Sequence, residues 1–443
     1  MASLPGLTES LQPIDIDNNF NEPHRLSVPQ ASEWRVQVPP ESTLTIKVLS
    51  GIAEIFGTEL ANDVDYCFQG TKFALYAVEP IELEWKCPEL SESISDETSM
   101  INVYNLHFAL EKMRISSFDG PRVLIVGDSS TGKSSLAKTL CSYAIKYKQY
   151  QPLYVNLNPQ DGIFSPPGCL SATPISDILD VESNSWGQSM TGGATKLHSK
   201  QPVVKNFGLE RISDNRDLYM FIMQKLSEAV HKRLQNDPLI RRSGLIIDTP
   251  PISELHDTYT ELQEIVTRFR VNAIVVCSKD DNLTIKINEA FQSQVGAIVS
   301  FPVSNGVFQV DDVFKRTLQR ICIKEYFYGG LNTVLSPYTV GANFEDITIW
   351  QPKICTDADE TTTSNNATLE LVEITASNLQ HALVAITYAG RKASKEEVLQ
   401  SSILGYALVT EVNDSRRKLR ILLPVPGRLP DKSIILTAYR YLE

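Results

Sequence analysis

The sequence lacks the features of membrane, secreted and disulfide-rich proteins. No apolar run reaches the roughly 18 residues that a transmembrane helix needs, and the opening residues MASLPGLTES show no basic, apolar secretory signal. The seven cysteines are scattered without a C-x-x-C pair, so we expect reduced core thiols rather than a zinc site or a disulfide framework. Positive charge is also scarce, with 41 Lys and Arg against 53 Asp and Glu and a formal net charge of −12. This balance argues against broad nonspecific nucleic-acid binding, but it allows a local basic groove.

The clearest positive feature is a phosphate-binding loop. The apolar run 123–126 leads into Gly127, and Gly132, Lys133 and Ser134 complete the pattern G-x-x-x-x-G-K-[ST] before a helical stretch. The two glycines allow the sharp turn that gathers backbone N–H groups around a phosphate, and the helix start adds its positive end. The lysine supplies a mobile charge for the β- and γ-phosphates, and the serine supplies a hydroxyl for Mg²⁺. The predicted nucleotide-binding residues of this loop are Gly127, Asp128, Ser129, Ser130, Thr131, Gly132, Lys133, Ser134 and Ser135.

A phosphate loop also needs an acidic residue near the Mg²⁺ ion or its waters, and two positions are candidates. Asp248 ends the apolar run of IIDTPP, where a Walker-B-like carboxylate would stand. Asn158 follows the strand-like YVNL, and its neutral amide can orient a water molecule but cannot take a proton from a hydroxyl group. We predict Ser134 and Asp248 as metal-binding residues. The alternative for Asp248 is a strand-end carboxylate that caps the turn before Pro250.

Patterning divides the chain into a tail and three domains. Residues 1–24 are polar and lack periodicity, which predicts a flexible tail. Residues 25–99 alternate polar and apolar side chains and predict a small all-β domain of about six strands, with an acidic, Ser-rich linker over 88–99. Residues 100–335 alternate strand and helix patterns, which predicts a central P-loop NTPase domain with a parallel sheet. Residues 336–443 are β-rich with one helix and predict a small C-terminal α/β domain.

Two further segments carry less specific signals. The stretch 161–206 is long and rich in Gly, Pro and Ser, so we expect it beside the bound nucleotide or over a substrate face, with an ordinary insertion as the alternative. The densest basic cluster could touch RNA or an acidic partner, but a solvated strand face is the favoured interpretation. This cluster consists of Arg416, Arg417, Lys418, Arg420 and Arg428.

Long segments outside the phosphate loop are shared with a known family. They include GIAEIFGTEL (51–60), YNLHFALEKMR (104–114), ATPISDILD (172–180), VKNFGLERI (204–212), KEYFYG (324–329) and RRKLRILLPVPGRLP (416–430). With these segments the chain resembles, nearly from end to end, the Clp-type ATP-binding subunits of the pre-mRNA cleavage and polyadenylation machinery. In fungi these subunits belong to cleavage factor IA.

The resemblance implies three domains, of which the N-terminal one closes over ATP and Mg²⁺ with contacts from Glu33 and Lys72. It also implies a relation to polynucleotide 5′-hydroxyl kinases, which use a carboxylate after the second strand and arginines from a lid. This chain departs at both points, because Asn158 stands near the carboxylate position and 278–300, where we expect the lid, contains no arginine. Losing an arginine finger costs on the order of 10³–10⁵ in rate. Losing the base costs roughly 10²–10⁴ more, so we predict no catalytic residues.

These observations support two hypotheses of different class and a weaker third. The first is an ATP-binding scaffold subunit of the nuclear pre-mRNA 3′-end cleavage and polyadenylation machinery, with ATP as a structural ligand and little or no kinase activity. The alternative is an active RNA 5′-hydroxyl kinase, and the third is a switch-type NTPase related to partitioning ATPases, suggested by IIDTPP.

The resemblance also implies partners and a location. The partners are the other cleavage factor IA subunits, chiefly the one that binds the RNA polymerase II C-terminal tail. That subunit would dock near the seam between the central and C-terminal domains. We expect indirect or weak RNA contact and no membrane association, and the nuclear assignment comes from the resemblance alone.

Overall fold

The structure is a computed structural model and describes residues 23–187, 202–255, 258–331, 334–355 and 366–442. Its strands form four sheets, two in the N-terminal part and one each in the central and C-terminal parts. The predicted fold class is therefore confirmed, while the limits of the three domains remain predictions. Within the described ranges, no helix is both long and apolar enough to span a bilayer.

The N-terminal part is a sandwich of two antiparallel sheets. Its strands are β1 (His24–Val28), β2 (Glu33–Gln37), β3 (Thr43–Ser50), β4 (Ala53–Ile55), β5 (Thr58–Glu59), β6 (Asp65–Gln69), β7 (Lys72–Ala77), β8 (Ile81–Lys86) and β9 (Ser91–Ser95). One sheet has the order β1-β8-β3-β6 and the other β5-β4-β7-β2-β9. Alternate side chains of β3, namely Leu44, Ile46 and Val48, are fully buried, as the period-two pattern requires. All six predicted strands are present.

The predicted linker over 88–99 is wrong in part, because it contains β9. This strand pairs with β2 at the edge of the second sheet. Its side chains are polar and largely exposed, so no apolar alternation marks it as a strand. Its position does satisfy a buried donor, because the indole N–H of Trp34 donates to the carboxylate of Glu92.

The central part is a seven-stranded sheet with the order β13-β12-β11-β14-β10-β15-β16. Its strands are β10 (Arg122–Gly127), β11 (Leu153–Asn156), β12 (Cys169–Pro174), β13 (Val203–Asn206), β14 (Leu245–Asp248), β15 (Ala273–Ser278) and β16 (Ala297–Pro302). Its helices are α1 (Met100–Ser116), α2 (Lys133–Lys148), α3 (Arg216–Asn236), α4 (Pro238–Ser243), α5 (Thr258–Phe269), α6 (Asp281–Phe291) and α7 (Asp312–Tyr328). Strands β11, β14, β10, β15 and β16 are mutually parallel.

Burial on both faces explains the continuous apolar runs of the parallel strands. In β10, Leu124 and Val126 pack into the core against α3 and α5, while Val123 and Ile125 pack into the core against α1 and α2. The carboxyl ends of parallel strands meet at one edge of a sheet, where α/β proteins bind ligands. The phosphate loop follows β10 at that edge.

Much of the stretch 161–206 is ordered, which the Gly-, Pro- and Ser-rich composition did not predict. Strands β12 and β13 extend the sheet by antiparallel pairing. Gly168 takes a φ of +94°, and a Cβ there would lie 2.9 Å from the ring of Tyr439, so glycine allows the close approach of the chain. The TGG sequence at 191–193 lies outside the described residues.

The C-terminal part is a seven-stranded sheet with two short helices. Its elements are β17 (Tyr338–Asn343), β18 (Ile349–Pro352), β19 (Leu369–Leu371), α8 (Ala376–Leu379), β20 (Ala382–Gly390), α9 (Lys395–Gln400), β21 (Ile403–Asn413), β22 (Lys418–Leu423) and β23 (Lys432–Arg440). The strand order is β17-β22-β21-β20-β23-β18-β19. In the basic cluster, Arg417 pairs with Glu345 at 2.7 Å and Arg420 with Glu411 at 3.2 Å. These exposed pairs fit the solvated strand face that we favoured.

Helix α7 connects the central and C-terminal parts. Its residues Ile323, Tyr326 and Phe327 are buried in one apolar cluster with strands of the C-terminal sheet. The hydroxyl of Tyr326 accepts a hydrogen bond from the backbone N–H of Tyr406 at 2.8 Å. The seam between the two parts is therefore a packed core rather than a loose junction.

Candidate nucleotide-binding site

The phosphate loop has the backbone that its sequence predicted. β10 ends at Gly127, α2 begins at Lys133, and Gly132 between them has a φ of +84°. A Cβ at Gly127 would lie 2.3 Å from the carbonyl oxygen of Cys277 on β15, so only glycine fits there. The predicted strand, loop and helix are thus all present.

Side chains of the loop and its neighbours fix its shape. The carboxylate of Asp128 accepts hydrogen bonds from the backbone N–H of Ser129 at 2.9 Å and the hydroxyl of Ser253 at 2.7 Å. Burial raises the pKa of Asp128, but these hydrogen bonds outweigh it and hold the pKa below its ordinary value. The hydroxyl of Thr131 donates to the backbone carbonyl of Asp128 at 2.9 Å. The ionised carboxylate therefore braces the loop from outside the cavity.

Lys133 bonds its ammonium group back to the loop. Its side chain is 7 % exposed, and its Nζ donates to the backbone carbonyl of Asp128 at 2.6 Å. Burial lowers the pKa of Lys133, and the carboxylates of Asp248 and Asp161 oppose that shift. An ammonium group at this position of the loop can contact the terminal phosphates of a nucleotide.

Asp248 lies beneath the loop, at the end of β14. The parallel register puts it beside Ile125 of β10, and only 1 % of the residue is exposed. Its Oδ2 accepts a hydrogen bond from the hydroxyl of Tyr154 at 3.2 Å. No donor among the described residues has the distance and angle of a hydrogen bond to its Oδ1. Burial raises the pKa of Asp248 to about 6, opposed by Lys133 and by the hydroxyl of Ser134. A buried oxygen without a donor, next to a serine hydroxyl, fits a hydrated Mg²⁺ ion bound through Ser134 and Asp248.

The end of β11 contributes an amide and a carboxylate. Asn158, one of the two candidate positions, lines the cavity, and its Nδ2 donates to Oδ2 of Asp161 at 2.8 Å. Asp161 also lines the cavity, although we did not single it out from the sequence. Burial raises its pKa, while Asn158, Lys133 and Lys315 lower it.

A cavity of about 490 Å³ lies above the loop, within the size range of small-molecule sites. Its floor includes the predicted loop residues Ser129, Ser130, Thr131, Gly132, Lys133, Ser134 and Ser135. Gly127, Asp128 and Asp248 are not part of the lining and support the floor from below. The loop, Asp248 and Asn158 are thus brought together, while their contacts with a ligand remain predictions.

The N-terminal sandwich forms the second wall of the cavity. Glu33 and Lys72 both line it, where the resemblance placed them. The carboxylate of Glu33 accepts hydrogen bonds from the hydroxyl of Thr98 and from Nε of Arg35, the latter at 3.2 Å. Burial lowers the pKa of Lys72. Its Nζ lies 4.2 Å from the ring centroid of Phe314, which joins the sandwich to α7.

The third wall of the cavity is the segment 301–322, which we did not predict from the sequence to lie at the site. We expected the lid at 278–300, but this range forms α6 and its flanking strands, and none of its residues lines the cavity. Ile287 and Phe291 instead anchor α6 in the core. The wall comes from 301–322, where Nζ of Lys315 donates to Oε1 of Gln160 at 2.6 Å. Because the segment mixes a loop with the first half of α7, no single periodicity marks it.

Three family models match the chain in sequence. The N-terminal β-sandwich domain of polyadenylation factor matches 27–117. The P-loop of mRNA cleavage and polyadenylation factor CLP1 matches 127–329. Pre-mRNA cleavage complex II protein Clp1 matches 335–443.

Curated relatives agree over the whole length. The mRNA cleavage and polyadenylation factor CLP1 of Eremothecium gossypii is 58% identical over 445 aligned residues, which cover 100% of both chains. The chain belongs to the CLP1 family of mRNA cleavage and polyadenylation factors. The member from Saccharomyces cerevisiae is 54% identical over 449 aligned residues, again with both chains covered completely.

Two solved structures show the same fold. One is a complex of wild-type Clp1p with a Pcf11p fragment, with a TM-score of 0.91 at 54% identity, covering 96% of this chain and 99% of that one. The other describes an extended interface between Pcf11p and Clp1p and the structural basis for ATP loss in a glycine-to-arginine point mutant. Its TM-score is also 0.91 at 54% identity, with 96% and 100% of the two chains covered.

Proposed function

We propose that the chain is an ATP-binding scaffold subunit of the nuclear machinery that cleaves and polyadenylates pre-mRNA. ATP with Mg²⁺ would be a structural ligand between the N-terminal sandwich and the central sheet. The observation that carries the proposal is the shared cavity, in which the phosphate loop faces Glu33 and Lys72 of the sandwich. The structure of a CLP1-family relative that concerns ATP loss supports the identity of the nucleotide.

The cavity favours holding the nucleotide over transferring its phosphate. No arginine occurs among the described residues that line it, so the role of an arginine finger has no candidate there. Lys315 supplies a cation from α7, but its ammonium is bonded to Gln160 and cannot form the bidentate contact of a guanidinium. Asn158 is neutral and donates its amide to Asp161.

The proposed partner is a protein of the Pcf11p type, and the proposed location is the nucleus. Clp1p is seen in complex with a Pcf11p fragment in two solved structures of the same fold. We place the docking site near the seam between the central and C-terminal parts. Helix α7 reaches from the cavity to this seam, so a ligand in the cavity and a partner at the seam would stabilise the same helix.

Thermal unfolding of the purified chain tests the scaffold proposal. Saturating ATP with Mg²⁺ should raise the melting temperature, because a ligand at a thousandfold excess over its Kd adds about 4 kcal/mol to the free energy of unfolding. Ser134→Ala should reduce that shift, since it removes the hydroxyl offered to Mg²⁺. A wild-type chain with an unchanged melting temperature in ATP and Mg²⁺ would end the proposal.

An RNA 5′-hydroxyl kinase is the second candidate, favoured by one observation. Asp161 places a carboxylate with a raised pKa in the cavity, and such a group can act as a general base. Transfer of labelled γ-phosphate to 5′-hydroxyl RNA separates the two functions. We expect no saturable transfer by the wild type or by Asn158→Asp, because the cavity lining still lacks an arginine. Robust transfer that is lost in Lys133→Ala would establish the kinase instead.

A further inference from the structure

Three carboxylates occur among the described residues that line the cavity: Glu33, Glu54 and Asp161. Glu33 is bonded to Thr98 and Arg35 within the sandwich. The other two differ in how they are held.

Glu54 is engaged on both oxygens. Its Oε2 accepts a hydrogen bond from the hydroxyl of Tyr143 at 2.7 Å, and its Oε1 pairs with Nζ of Lys146 at 2.6 Å. The carboxylate of Asp161, by contrast, accepts a hydrogen bond from the neutral amide of Asn158 and forms no ion pair within the described residues. No ion pair within the described part of the chain therefore neutralises the negative charge of the Asp161 carboxylate.

Asp161 lies within electrostatic reach of the phosphate-binding groups. Lys133 and Lys315 both lower its pKa, and Asp161 in turn raises the pKa values of Lys133 and Asp248. The charges of Asp161, Lys133 and Asp248 therefore lie close enough to influence one another.

The backbone around Asp161 is packed closely against α7. A Cβ on the following residue, Gly162, would lie 2.9 Å from Cβ of Cys322 on α7, so the chain passes directly against that helix. On the other side, the backbone carbonyl of Gln160 accepts a hydrogen bond from Gln319 at 3.1 Å. A carboxylate on a backbone that is packed and hydrogen-bonded in this way needs little reorganisation to bind a ligand.

We propose that Asp161 is a further Mg²⁺-assisting residue, whose carboxylate accepts hydrogen bonds from the water shell of the ion that accompanies bound ATP. This inference rests on the proposed function and names the chemistry of one more residue in its site. Mg²⁺ keeps several waters and binds through one or two carboxylates together with nucleotide phosphates.

The test is ATP affinity with and without the metal, measured by isothermal titration calorimetry in excess Mg²⁺ and in EDTA. Asp161→Asn should weaken Mg²⁺-ATP roughly ten- to a hundredfold, the size expected for lost hydrogen bonds to a charged group. In EDTA the same variant should bind ATP as tightly as the wild type or more tightly, because a negative charge near the triphosphate has been removed. A packing defect would weaken both conditions alike.

Two variants sharpen the measurement. Glu254→Gln removes a charge that contacts Gln160 at 3.3 Å from outside the cavity lining, and it should leave the Mg²⁺ dependence unchanged. The exchange Asn158→Asp/Asp161→Asn keeps the hydrogen-bonded pair with its partners reversed. It should recover the Mg²⁺ preference to within about threefold of the wild type, a difference of less than 1 kcal/mol.

Each result decides the inference. An Asp161→Asn variant with unchanged Mg²⁺-ATP affinity, or with equal losses in Mg²⁺ and EDTA, would overturn it. If that variant does not fold, a folded exchange variant without any Mg²⁺ preference would overturn it instead. A wild type that binds ATP equally well in both conditions would remove this inference while leaving the ATP scaffold intact, whereas a wild type that binds no ATP would remove both.

Discussion

The floor and the cap of the cavity are built in opposite ways. The floor belongs to one continuous loop, 127–135, which carries its own turn, charge and hydroxyls and of which 129–135 line the cavity. The cap is assembled from the sandwich strands β2 and β7 and from the distant segment 301–322. Phosphate loops of this kind bind triphosphates in P-loop proteins generally. The cap would make nucleotide binding in this chain depend on contact between two domains.

Direct contacts hold the floor and the cap together. The backbone N–H of Val310 donates to the hydroxyl of Ser130 in the loop at 3.0 Å. Within the cap, the amide of Asn305 donates to the carboxylate of Glu97, next to the sandwich, at 2.6 Å. A ligand that fills the cavity would contact both the floor and the cap. Its binding free energy would therefore stabilise the packing of the two domains against each other.

The largest effect should come from the floor. Lys133→Ala is expected to weaken ATP binding roughly a hundredfold and to abolish most of the ATP-dependent rise in melting temperature, because the loop loses its only ammonium group. Calorimetric titration and thermal unfolding measure the two effects. Lys232→Ala removes an exposed ammonium from α3 and is the matched control. Equal ATP affinities of Lys133→Ala and the control would show that the floor does not bind the nucleotide.

The cap should contribute less than the floor. Lys72→Ala is expected to weaken ATP binding about five- to tenfold, because a partly solvated ammonium is screened by water. Lys86→Ala, an exposed substitution at the end of β8 in the same sandwich, should have no effect. If Lys72→Ala matched Lys133→Ala in its loss, the contrast between the floor and the cap would be wrong.

The pH dependence probes the support beneath the floor. Ionised Asp248 should favour Mg²⁺-ATP, so affinity should fall about fourfold between pH 7.5 and about pH 5.5 as the carboxyl protonates through its pKa of about 6. Asp248→Asn should remove this component and leave the titration of ATP itself. The same slope in both proteins would assign the pH dependence to the nucleotide alone.

The same carboxyl has the opposite effect on the ligand-free protein. Its folded pKa lies above the ordinary value of 3.8, so its contribution to the free energy of unfolding is greatest below that pH. The contribution declines as the pH rises towards 6 and is constant above it. Urea unfolding across this window should therefore show a smaller decline for Asp248→Asn than for the wild type.

The smallest effect should lie far from the cavity. Arg417→Ala breaks an exposed pair with Glu345 and should leave the free energy of unfolding almost unchanged, because water and salt screen such pairs. ATP affinity should not change at all. A marked loss of ATP affinity in this variant would show that the C-terminal surface is coupled to the cavity.

The sequence predicted what is local in the fold and in the site. The strand, glycines, lysine and serine of the phosphate loop are contiguous, so one pattern specified all of them. Asp248 was predictable because an apolar run ends at it, and the six sandwich strands because they alternate with period two.

The remainder depends on contacts between distant segments. β9 is a polar edge strand that is held by β2, and its own residues carry no strand pattern. The wall 301–322 and Asp161 are far apart in sequence and line the cavity together only in the folded chain. One signal for Asp161 was available, namely a carboxylate placed three residues after Asn158 at the end of a strand.

The most direct test of the account is the state of the nucleotide after prolonged contact with the protein. The purified chain is incubated with ATP, Mg²⁺ and 5′-hydroxyl RNA, and the bound nucleotide is released by denaturation and identified by chromatography. The account predicts that intact ATP is recovered at about one molecule per chain and that the RNA remains unphosphorylated. Recovery of ADP together with phosphorylated RNA would contradict it.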